Sequence, residues 1–204
     1  MQGLVVYAIS IDDVRDIFRA PPQLAERLRA VAAERMPAPA RPRRSWFAPL
    51  MRRDPATEVD PARPSRVDID TMLTGAYIPP DRLEQSWQLL TVWLEELSAA
   101  RCTIPWDRDA FDRVEWDLAR AELNSDYSLR SLADRPLAIP LRPQPDQVVG
   151  YAKRVHAVEA LEEYRRVLAD PELTDESRAW LEPVAGVLEV VKADERLDAV
   201  VAGW

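Results

Sequence analysis

The chain has 204 residues, 47% apolar and 30% charged, which is enough for a buried core under a charged surface and rules against wholesale disorder. Its formal net charge of −8 works against nucleic acid and anionic membranes, and favours a basic protein partner or plain solubility. A lone cysteine, Cys102, cannot form an internal disulfide; the opening MQGLVVYAIS lacks a basic start and a long apolar run, and no stretch approaches a membrane span. A cytoplasmic, single-domain protein is expected.

In chain order, Leu4 to Ser10 is rich in β-branched residues and predicts a buried strand. Ser10 then predicts an N-cap, with Asp13 three residues on as the acid of a capping-box variant and Ile9 stapled on Val14, for a helix running to about Phe18. After Pro21 and Pro22, the spacing of Leu24, Leu28, Val31 and Ala32 predicts a second helix ending near Met36. Residues 37 to 64 hold seven prolines, no glycine and no sustained period, so this segment reads as a long loop.

Helical signals resume from Val67 to Leu73, closed by Gly75. They strengthen after Pro79 and Pro80, where Leu83, Trp87, Leu90, Leu94 and Leu97 form an apolar stripe on a helix expected to end near Ala100. Pro105 is expected to start the next helix, with Phe111, Val114, Leu118 and Ala121 buried. Residues 137 to 141, LAIPL, suit an edge strand that tolerates Pro140, and 147 to 152, QVVGYA, read as another strand. Ala157, Leu161, Tyr164 and Leu168 mark a further helix, and a last one starts after Thr174 and continues, with a kink expected at Pro183, to about Lys192.

The expected fold is therefore α+β: a mainly helical domain with a small sheet formed by the N-terminal strand and strands near 137–152, the central helices packing on one of its faces, and residues 37–66 as a Pro- and Arg-rich excursion. The order of elements, from YAISIDDVRDIF through a central paired-helix block to PLAIPLRPQPDQVVGYAKRVHAVEALEEYRRVL, resembles that of the uncharacterised YfbM-like proteins and their actinobacterial relatives. The resemblance implies a small cytosolic α+β fold and no activity or catalytic residues; the Arg-rich segment has no clear counterpart in it.

The five glycines (Gly3, Gly75, Gly150, Gly186, Gly203) are not spaced as a dinucleotide or phosphate loop, and no G-x-S-x-G elbow occurs. His156, the only histidine, shares a helical face with Glu159 and Glu163, a spacing that could supply one edge of a metal site or a polar stripe. Asp107, Asp109 and Asp112 could be paired acids, yet they stand at a helix start where carboxylates suit the dipole. Cys102 reads as a structural thiol. Among the seven tryptophans, Trp87, Trp106 and Trp116 are expected to be accounted for by packing, Trp93 to cover a neighbouring element, and Trp46 and Trp204 stand outside any period.

The segment RPRRSWFAPLMRRDP, residues 41 to 55, leaves three readings open. Arg43, Arg44, Trp46, Phe47, Arg52 and Arg53 could anchor a protein partner, stack and clamp nucleic acid, or cover the domain's own surface. Residues 41–66 sum to +4, so the rest of the chain carries −12. That balance makes the nucleic-acid reading the least favoured of the three. The expected function is a non-enzymatic, cofactor-free module binding a basic protein, for example as an immunity or antitoxin-like partner. The alternative is a small-molecule or metal-assisted enzyme using the His156 face.

Overall fold

The computed structural model describes residues 3–37, 62–105, 107–145 and 147–203. The described residues form seven α-helices around a four-stranded antiparallel sheet, a mainly helical α+β domain. Strand β1 (Gly3–Ile9) lies at the centre, paired with β2 (Ala100–Pro105) on one side and β4 (Asp198–Gly203) on the other, and β3 (Val148–Ala152) flanks β4. Val6 stands opposite Cys102 on one neighbour and Val201 on the other, so the two ends of the chain pair directly.

Alternation along β1 sends residues to two separate cores. Leu4, Val6 and Ala8 join Ala199 and Val201 beneath α5 (Arg108–Arg120), α6 (Arg154–Leu168) and α7 (Asp175–Ala193). Tyr7 and Ile9 join Val200 and Ala202 beneath α1 (Ile11–Asp16), α2 (Pro22–Arg35), α3 (Arg66–Thr74) and α4 (Leu83–Leu97). The helices thus cover both faces of the sheet, where one covered face was expected. Every residue of β4 is buried as a result, which explains its run of apolar residues without alternation.

Side-chain caps start four of the seven described helices, at Ser10, Ser65, Asp107 and Thr174. Ser10 accepts a hydrogen bond from the Asp12 N–H, Ser65 and Asp68 form a reciprocal capping box, and Gly75 ends α3 at φ +67°. Helix α7 runs through Pro183 without a break. Trp93 does cover a neighbouring element: it is fully buried and its Nε1 donates to the Leu28 carbonyl at 2.9 Å.

The expected strand at 137–141 does not form. Pro136, Pro140 and Pro143 remove ladder donors and Ala138 takes φ +56°, so the segment runs as an irregular strap. Leu137 and Leu141 still bury against the second core, while the Leu137 and Arg142 carbonyls accept from Arg15 Nε and Trp87 Nε1 instead of a strand. Two strands were not expected: β2, which fills the stretch between the central helix and Pro105 so that the next helix starts only at Arg108, and β4.

Asp198, at the start of β4, ties these layers together. Its carboxylate is buried and accepts from the Ile11 N–H at 3.1 Å and the Arg154 N–H at 3.0 Å, with Lys153 Nζ at 3.3 Å. It is therefore the anionic cap of two helices remote in sequence; the α6 N-cap residue, Lys153, makes no side-chain cap of its own.

Candidate functional site

The six residues of the Arg/Trp segment, Arg43, Arg44, Trp46, Phe47, Arg52 and Arg53, lie outside the described residues, as do Trp106 and Trp204. The His156 face is described in full. His156 Nε2 stands 3.5 Å from Ser131 Oγ, which itself donates to the Ser128 carbonyl at 2.7 Å. The imidazole packs on Tyr127 with ring centres 5.2 Å apart, and the Tyr127 hydroxyl donates to Glu159 at 3.2 Å. Glu163 pairs with Arg166 at 2.8 Å. The three residues share a face as their spacing predicts, but His156 and Glu159 both engage Tyr127 while Glu163 pairs with Arg166, and no group of three or more metal-ligating side chains forms among the described residues.

The acidic trio at the start of α5 is divided in the same way. Asp107 caps the helix by accepting from the Ala110 N–H at 3.0 Å, and Asp112 pairs with Arg130 at 3.0 Å, while Asp109 faces solvent. Glu115, one turn further, is turned inward. Burial raises its pKa, opposed by the Arg130 N–H and by the Arg130 charge.

Charge gathers elsewhere. Residues 147–203 carry twelve acidic and seven basic residues, and residues 170–182 alone hold Asp170, Glu172, Asp175, Glu176 and Glu182 against Arg178. That arginine turns back to donate to the Leu168 and Asp170 carbonyls. The acidic crest meets α5, where Asp117 accepts from the Thr174 and Ser177 hydroxyls and Arg113 pairs with Glu176. Between them lies a cleft of about 160 Å³ lined by Asp117, Arg120, Ala121, Asp170, Glu172, Leu173 and Thr174.

Trp116, beside Asp117, is 69% exposed and contributes nothing to either core, contrary to the expectation that packing would account for it. Helical geometry explains this: Trp116 is two residues from both Val114 and Leu118, about 200° around the axis, and so opposite the buried stripe. That arithmetic was legible in the sequence.

Three acids of raised pKa, two buried phenols and one half-buried thiol, bear on stability and not on this surface. Burial pushes the Cys102 thiol up to about 11, and lifts the Tyr7 and Tyr164 phenols well above their usual value, with Glu95 adding to the shift at Tyr7 and Glu115 at Tyr164. Each group keeps its proton to higher pH folded than unfolded, so above the unfolded value the native state binds more protons and stability falls as pH rises. The contribution of these three groups is expected to be full below about pH 8, to decline from there as unfolded Cys102 ionises, and to decline faster above about pH 10 as the tyrosines join. Because the buried Tyr7 hydroxyl has no hydrogen-bond partner among the described residues, Tyr7→Phe should leave neutral stability unharmed and flatten the upper part of this decline. Urea unfolding across pH 8 to about 10.5 reads both, and a variant curve parallel to the parent's would refute the assignment.

No described helix is long and apolar enough to cross a membrane. Compared with family models, with curated proteins and with solved structures, the chain matches none.

Proposed function

We propose that this chain is a non-enzymatic cytosolic binding module whose partner is a basic protein, with an immunity or antitoxin-like role as one form of that activity. The observation that supports it is the gathering of charge: five carboxylates within residues 170–182, four of them exposed, beside an arginine committed to backbone carbonyls. A one-signed field of that kind steers an oppositely charged partner and raises its association rate, an effect that salt removes. Support also comes from the His156 face, whose groups are engaged with Ser131, Tyr127 and Arg166 and form no metal-ligating group among the described residues. Kinship with the YfbM-like proteins belongs to the same proposal and would bring a fold without an activity.

Co-purification from native lysate at low salt tests this reading. The expected result is a stoichiometric partner of high isoelectric point, released above about 0.5 M salt, where the screening length falls below about 5 Å. Recovery of no partner, or of an acidic one held equally well at high salt, would count against it.

A further inference from the structure

The cleft at the α5–α7 junction sets bounds on what it can hold. Its volume of about 160 Å³ is smaller than the roughly 300–1,000 Å³ of small-molecule sites and suits a single side chain. Asp117, Asp170 and Glu172 line it against one cation, Arg120, and the α7 dipole adds about half a positive charge at Thr174. Three carboxylates outweigh those terms, so a cationic group is favoured there and a phosphate is not.

The second observation is apolar. Trp116 precedes Asp117 and lies one helical turn from Arg120, both cleft residues, and leaves most of its indole in water. Tryptophan is the side chain whose burial most often anchors a protein interface, and its face also attracts Arg and Lys.

We propose that Trp116 and the adjoining cleft are the docking point for an Arg- or Lys-bearing segment of a basic protein. The cleft receives the cationic head of one side chain, and the indole covers its aliphatic stem or stacks on the guanidinium. This rests on the basic-partner reading and narrows it to one surface. Leu173 supplies the apolar floor of the cleft, and Asp175, Glu176 and Glu182 form the outer field that guides approach.

The test uses the full chain and a fluorescent peptide of about twelve residues carrying Arg at helical spacing between Ala residues, followed by anisotropy at low salt. Trp116→Ala should weaken binding about tenfold or more, and Glu172→Gln about threefold with a shallower salt dependence. Tyr77→Ala, at a side chain 72% exposed beside the other helical layer, should leave binding unchanged. Because Trp116 is exposed, its variant should melt within a few degrees of the parent, which separates lost contact from lost fold. If Trp116→Ala binds as the parent does while Asp175→Asn, Glu176→Gln and Glu182→Gln together abolish binding, the docking point is refuted and the acidic-surface reading stands. If the parent chain does not bind the peptide at all, both fall.

Discussion

Gly150→Ala is expected to destabilise the protein by at least about 3 kcal/mol and to give mostly misfolded material. A β-carbon at Gly150 would lie 1.9 Å from the Ala133 oxygen, 2.5 Å from its carbonyl carbon and 2.8 Å from the Arg135 oxygen. All three are backbone atoms, which cannot swing aside as a side-chain tip can. The segment they belong to closes the outer edge of β3, where the Tyr151 N–H donates to the Arg135 carbonyl at 2.9 Å. Moving it would open that edge and displace Ser131 from His156. Thermal melting of the purified variant checks this, and a midpoint within about 2 °C of the parent's would show that the segment yields freely.

Asp198→Ala is expected to cost about 3 kcal/mol, a fall in melting temperature of roughly 6–12 °C for a chain of this size. The carboxylate satisfies the first N–H of α1 and that of α6 while buried, so its removal leaves two helix donors without an acceptor and Lys153 without its ion-pair partner. Each lost cap is worth about 1 kcal/mol, and the broken, partly buried pair supplies the rest. Asp198→Asn, which keeps an acceptor but not the charge, should lose about half as much. Denaturant unfolding of the two variants measures the difference, and equal losses would mean that burial and not capping sets the cost.

Much of the helical layer was readable from local pattern. Ser10, Gly75 and Thr174 mark helix ends, and the stripes from Leu83 to Leu97 and from Ala157 to Leu168 lie on buried faces. These signals work because a helix closes its hydrogen bonds within its own segment, so caps and period carry most of the information. Strands do not. LAIPL looks like a strand and forms a strap, whereas ARCTIP, with Arg, Thr and Pro at exposed positions, looks like a linker and pairs with β1 along six residues. Whether an extended segment becomes a strand depends on a partner elsewhere in the chain, here Val5 opposite Thr103 and Val149 opposite Ala202.

The proposed surface divides along the same line. By itself the sequence determined that the chain is acidic and that His156 shares a face with two glutamates; the same helical arithmetic puts Trp116 opposite the buried stripe of α5, where packing had been expected to account for it. Only the tertiary structure decided that the 170–182 carboxylates meet α5 at Asp117, that a cleft lies between them beside Trp116, and that Asp198 caps two helices across the sheet. The physical reason is range. Charge, period and capping are properties of neighbouring residues, whereas a cleft or a shared carboxylate exists only once segments remote in sequence have been packed together.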